Sequence, residues 1–288
     1  MQTTGIFTTH VFNIPFSKFG EPIYLIPFGD IHRSSPACHE EYWKEFLGWA
    51  KKKPRCYFLG MGDYDDLGSA SERLILTDKR LHNSTHQTLE VLYLKHTNKF
   101  AKDIVFMRGR LLGLIEGNHY GEFQNGATTT QKLCELMGCK YLGVSTFIRL
   151  RFLPQTKHHT RLSVDVWAHH GRGASRLMGG SLNRVEQMAE AAEADIFLMG
   201  HDHKKSIAPT VRFQLMSSPN NGVKLHARKI LIGRTGSFLK GYEQGVASYI
   251  VDNAMKPCDI GVIKIEMTPQ RDCRNGEDIC HIDLHGSI

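Results

Sequence analysis

Short apolar runs of strand length recur along the first two-thirds of the chain. A burst of Gly, Asp and His follows each of them. The runs are Ile23 to Phe28, Cys56 to Leu59, Leu111 to Ile115, Leu162 to Trp167 and Asp195 to Met199, all rich in residues that strands favour. Helical periodicity fills the gaps. Cys38 to Lys52 sets Trp43, Phe46, Leu47 and Ala50 three and four apart, and Thr88 to Ala101 repeats Leu89, Leu92, Tyr93 and His96 in the same way. Thr129 to Met137 and Leu182 to Ala192 complete the predicted helices. Strands alternating with helices predict an α/β architecture whose sheets are covered on their faces. Beyond about residue 206 the pattern turns to extended segments, Lys229 to Gly233, Ala247 to Asp252 and Ile260 to Met267, separated by Gly and Pro turns. The polar tail, Thr268 to Ile288, is expected to be partly disordered. No long polar linker and no repeat of 20 to 50 residues interrupts the chain, so a single domain over 1–288 is expected.

Composition narrows the class. Hydrophobic residues at 41% and charged residues at 23% match a soluble globular protein and exclude collagenous, coiled-coil and disordered chains. No run approaches the ~18–20 apolar residues of a membrane helix. The first residues lack a basic segment followed by an apolar one, so no secretory signal is read. Seven scattered cysteines, an odd number, suit a reducing compartment, and a cytoplasmic location without membrane association is expected. Thirty-six Lys and Arg against 29 Asp and Glu leave a net +7, which favours polyanionic partners.

The chemistry lies where the predicted strands end: Gly29-Asp30-Ile31-His32, Gly60 to Asp66, Gly117-Asn118-His119, Ala168-His169-His170-Gly171, and Gly200-His201-Asp202-His203. In an α/β sheet the carboxyl ends of neighbouring strands converge on one crevice. Five bursts therefore predict one site. Asp, His and Asn without thiolate suit Mn²⁺, Fe or Zn²⁺, with Ni²⁺ or Co²⁺ as further options. Asp30 and His32 are two apart, as are His201 and His203; in extended backbone each pair would face one way. Seven candidate ligands exceed the needs of one ion and suit two divalent ions sharing a carboxylate. Taken singly, Asp30 or Asp63 reads as a helix cap. Together the residues require one explanation.

In order, Asp30-x-His32, Gly62-Asp63-x-x-Asp66, Gly117-Asn118-His119, His170-Gly171 and Gly200-His201-x-His203 resemble the five blocks of the calcineurin-like metallophosphoesterase superfamily. The resemblance spans residues 22–205. It implies a four-layer αββα sandwich of two mixed sheets flanked by helices, with residues 206–267 supplying the second sheet. It further implies that Asp30, His32 and His203 hold one metal, that Asp63 bridges both, and that Asn118, His201 and His170 hold the other, with His169 as the alternative to His170. His119 would assist the leaving group, oriented by Asp66. An activated water would attack phosphorus in line, and Mn²⁺ is the expected metal.

One departure bears on the substrate. Where the protein-phosphatase branch has an arginine after the Gly-Asp-x-x-Asp block, this chain has Leu67, which offers no fork to a phosphate dianion. Arg33 and Arg172, adjacent to the motifs, are the expected substitutes. A phosphodiesterase or nuclease acting on DNA or nucleotides is the favoured reading, with a phosphomonoesterase as alternative and a non-catalytic scaffold as the remote one. The segment Gly171 to Arg176 with Arg184, and a wall formed by Arg73, Lys79, Arg80, Lys95, Lys99 and Lys102, are the expected basic surfaces.

Overall fold

A computed structural model describes residues 9–155, 162–173, 175–217, 222–246, 249–252, 254, 256–274 and 277–288. His158 and His159, expected in a solvated loop, lie outside the described residues. Two mixed sheets are stacked face to face. The first comprises β2 (Ile23–Phe28), β3 (Cys56–Gly60), β4 (Leu111–Leu114) and β5 (Lys140–Tyr141) in parallel, extended on the β2 side by β12 (Lys264–Arg274) and β13 (Glu277–Ser287), each antiparallel to its neighbour. The second runs β1 (Thr9–Phe16), β6 (Ser145–Pro154), β7 (Leu162–His169), β8 (Ile196–Met199), β10 (Val223–Ser237) and β11 (Gly261–Val262), with β9 (Lys205–Ser217) paired along β10. Helices α1 (Glu40–Lys51), α2 (Ala70–Leu76), α3 (Asn83–Ile104), α4 (Thr129–Met137), α5 (Met178–Glu190) and the single turn α6 (Tyr249–Asp252) complete the elements.

Alternation along the strands builds the layers. Leu25 and Leu59 point between the sheets, where they meet Ile148, Leu150, Val164 and Ile196. Their chain neighbours Ile26 and Phe58 point the other way, onto Trp43 and Phe46 of α1, Phe100 and Ile104 of α3 and Leu133 of α4. On the far side, Val185 and Met188 of α5 close over Phe197, Ile230 and Ile232. Period-two burial thus feeds one inter-sheet core and two helix–sheet cores, in the order helices, sheet, sheet, helix. The fold is mixed α/β, as expected. α4 begins and ends where predicted because both signals are local. Thr128 and Gln131 form a capping box, and left-handed Gly138 closes the helix.

Two expectations are corrected. Residues 249–252 form a helical turn rather than a strand, and Ala247 and Ser248 lie outside the described residues. The described residues of the tail lie along β12 and β13, which pair from Lys264↔Ser287 to Arg274↔Glu277, rather than in an irregular segment. The tail is polar because much of this edge hairpin faces solvent, while Met267 and Leu284 anchor it in the core. Among the described residues no helix is long and apolar enough to cross a membrane.

Candidate metal centre

The loops after β2, β3, β4, β7 and β8 meet at one end of the sheets. They bring Asp30, His32, Asp63, Asn118, His170, His201 and His203 together. Two groups have ligand atoms mutually within 4.8 Å: Asp30 with His32 and His203, and Asp63 with His170 and His201. Asn118 joins the second group, its Oδ1 standing 2.7 Å from His201 Nδ1 and 3.0 Å from His170 Nε2. Asp63 links the two. Its Oδ1 accepts from the backbone N–H groups of Asn118 and His119, at 2.7 and 2.8 Å. That leaves Oδ2 3.6 Å from His32 Nε2 and 3.3 Å from His170 Nε2. One carboxylate oxygen therefore faces both groups.

The convergence does not come from extended backbone, which is a further correction. Asp30, His32, Asp63, His201 and His203 all adopt positive φ, between 47° and 73°. Such left-handed non-glycine residues are strained by about 1–3 kcal/mol each and cluster at functional sites. Close approach also demands glycine. A Cβ on Gly117 would strike the Asp63 carboxylate, and one on Gly62, at φ +101°, would stand 2.5 Å from His170 Nδ1. Neither carboxylate caps a helix. Asp30 Oδ2 accepts from His201 N at 2.8 Å, tying the β2 loop to the β8 loop.

The residues fit divalent cations. Asp30 Oδ1 and His32 Nε2 are buried without a hydrogen-bond partner, an arrangement that is unfavourable unless something else satisfies them. Donor atoms roughly 3–4 Å apart are what ligands share when each lies ~2.1 Å from one ion. Charge within the cluster points the same way. Burial raises the Asp30 carboxyl to about 7, reinforced by the nearby Asp63 charge. Burial also opposes charge on Asp63 and His170, but each is overruled by the other. Asp63 is held well below the usual carboxylate range, and His170 rises to about 9. Burial first, and cationic neighbours second, lower His201 to about 4 and keep His203 neutral.

Ligation requires these groups deprotonated, so a metal must displace the proton that His170 holds below about pH 9. An ion held by these residues would therefore bind more tightly as pH rises towards 9, and at pH 7 its binding is expected to release about one proton or more. Calorimetry in buffers of different ionisation enthalpy measures this, and a binding heat independent of buffer would remove the His170–Asp63 pair from the metal-free state.

His119 and Asp66 stand at the open rim. His119 Nδ1 lies 2.7 Å from Asp66 Oδ1, which leaves Nε2 for a substrate. Hydrogen bonds from His119 and then His32 keep Asp66 far below the ordinary carboxylate range. Of the adjacent histidines, His170 enters the cluster, whereas His169 Nδ1 turns away to accept from Gly171 N at 2.7 Å.

The two arginines differ. Arg172 is exposed, two residues along the chain from His170. Arg33, expected at the substrate, instead points into the fold. Its Nε and Nη1 donate to Asp65 and Asp103 at 2.9 and 2.8 Å, and its guanidinium lies over Phe100. Two aspartates and an aromatic face compete better for a guanidinium than open solvent does. Arg73, expected in a basic wall, is also committed. Its Nη1 donates to the carbonyls of Gly68 and Asn118 at 2.6 Å, and its guanidinium lies 3.6 Å from the Tyr120 ring centroid. It ties the loop carrying Asp66 to the one carrying Asn118 and His119.

Sequence reasoning also missed Arg234. Fully buried, it donates to Ser181 O and Gly200 O at 2.9 and 2.8 Å and lies 3.7 Å from Asp202. Ser181 Oγ in turn donates to Asp202. This network holds the His201–His203 loop from behind. A single charge inside the run Ile230 to Gly236 was the available clue.

No family model matches the chain, and no curated protein does. Among solved structures the chain is similar to Vps29 of Chaetomium thermophilum, at 11% identity and a TM-score of 0.33, over 92% of this chain and 96% of that one.

Proposed function

We propose that the chain is a dinuclear metal-dependent phosphoester hydrolase acting on phosphodiesters of nucleic acid or nucleotides. The observation that carries this reading is the Asp63 carboxylate, whose Oδ1 is pinned by two amides while Oδ2 faces both histidine groups. Two divalent cations, most simply Mn²⁺, would be held by Asp30, His32 and His203 on one side and by Asn118, His170 and His201 on the other. When bound, they supply charge neutralisation at phosphoryl oxygens and a lowered pKa for water. The protein supplies the rest. His119 presents Nε2 to the leaving oxygen and donates a proton as the ester bond breaks. Asp66 fixes the ring through its hydrogen bond to Nδ1. Exposed Arg172, two residues after His170, would be the cation that meets a substrate phosphate.

Leu67 and the inward-turned Arg33 remove two positions from which a bidentate clamp could hold a monoester dianion. The expected result is metal-dependent hydrolysis of bis-p-nitrophenyl phosphate, abolished by EDTA and restored by Mn²⁺. Its kcat/KM should exceed that for p-nitrophenyl phosphate about tenfold or more, roughly the effect of one charged hydrogen bond. A preference for the monoester would transfer the reading to a phosphomonoesterase. No hydrolysis of either ester with two metals bound would remove the catalytic reading.

A further inference from the structure

The hairpin of β9 and β10 projects beyond the strands that flank it. β8 pairs only with Leu231 to Arg234, and β11 only with Gly236 and Ser237. In the outer part the register opposes Phe213 to Ala227 and Leu215 to Leu225, and directly opposed residues share a face. Val211, Phe213, Leu215, Val223, Leu225 and Ala227 therefore form one uncharged face. Its five large members are between 56% and 74% exposed. The other face is tied down at its base. Arg228 donates to Asp195 at 2.6 and 2.9 Å, and Arg212 donates to the carbonyls of Ala189 and Ala192 behind α5. The apolar face continues the side of the sheet on which Leu231 and Ile207 enter the inter-sheet core and Lys229 reaches Asp283 of β13, and beyond that point its large side chains stand exposed.

We infer that this arm is a self-association surface, and that its occupant is the same arm of a second copy. An isolated two-stranded hairpin is marginal in water, so the free arm gains from cover. The exposed apolar surface is on the order of 600 Å², the upper end for an ordinary monomer. Two such faces bury about 1,200 Å² in total, the lower end of stable specific interfaces.

The face suits a copy of itself. A polyanion attracted by the +7 charge has no cation to meet among these six residues. Lys229, opposite Val211 at the base, is already paired with Asp283 at 3.0 Å. Two copies therefore approach without facing like charges. A twofold axis lying in the interface plane and running along the strands sets the large Phe213 of one copy over the small Ala227 of the other, twice, as an isologous contact requires.

Sedimentation equilibrium on the full chain between about 1 and 100 µM tests this. The wild type is expected to dimerise with a dissociation constant in the micromolar range, as small interfaces do. The double substitution Phe213→Glu with Leu215→Glu should raise that constant at least about a hundredfold, and Leu225→Lys on the other strand should do the same. Gln214→Glu, on the opposite face, should leave it unchanged. Unaltered thermal unfolding of the dilute variants separates lost association from lost fold. A wild type monomeric at about 100 µM, whatever else it binds, or variants that dimerise as tightly as wild type, would overturn the inference.

Discussion

Asp63→Asn is expected to give a folded chain whose metal-dependent hydrolysis is reduced at least about a thousandfold. Asparagine keeps a carbonyl oxygen for the amides of Asn118 and His119, so the loops remain in place. Alanine would instead strand both donors at about 1–3 kcal/mol each, which makes asparagine the cleaner probe. What asparagine removes is the charge and the free lone pairs of Oδ2, the atom facing His32 and His170. An NH₂ group there points donors at the place where cations would sit. Loss of the carboxylate also removes what holds His170 protonated, so the metal-free variant does not bury an unpaired charge. Elemental analysis after equilibration with Mn²⁺ should find fewer than two ions per chain, with a melting temperature near that of the wild type. Full loading together with undiminished turnover would falsify the bridging role.

Much of the centre was legible because its residues are punctuation. Asp, His and Asn directly after apolar runs stand out, and parallel strands carry such residues to one edge whatever the intervening lengths. The conformation that brings them together was not legible. Left-handed φ at Asp30, His32, Asp63, His201 and His203 is imposed by the packed loops against local preference, and propensity alone predicts the reverse. Adjacency failed as a guide for Arg33 for a related reason. Nothing local reveals that Asp103, seventy residues away, waits for its guanidinium.

The missed strands share one cause. β6 buries Ile148, Leu150 and Phe152 and exposes Arg149 and Arg151, a clear period-two pattern, yet it contains no apolar run. β1 likewise alternates, buried at Ile14 and Phe16, with Pro15 between them. β12 beyond Met267, and β13, read as a polar tail because one face of an edge hairpin is wet. The central strands β2, β3, β4, β7 and β8 were read, whereas the edge strand β1 and its inner neighbour β6 were not. The β9–β10 arm is the extreme case. Its apolar residues alternate, but they stand exposed, so no rule based on burial within one chain accounts for them.

His119→Ala separates proton donation from metal binding, because its effect depends on the leaving group. A p-nitrophenolate departs without help, so hydrolysis of bis-p-nitrophenyl phosphate should fall no more than about tenfold. An alkoxide leaving group, as in an unactivated nucleotide diester, needs its proton in the transition state, and the loss there should reach about 10²–10⁴-fold. Asp66→Asn keeps a hydrogen-bond acceptor 2.7 Å from Nδ1 but makes that bond a weaker, neutral one that orients the ring less firmly, so a smaller loss of about 10–100-fold is expected, with the same dependence on the leaving group. The rival role is specific. His119, Asp66 and His32 also bring donor atoms within 4.8 Å of one another, an arrangement that a cation could occupy. Metal content decides between them. Two ions retained with a leaving-group-dependent loss assigns His119 to proton donation, whereas an ion lost with equal damage to both esters makes it a ligand.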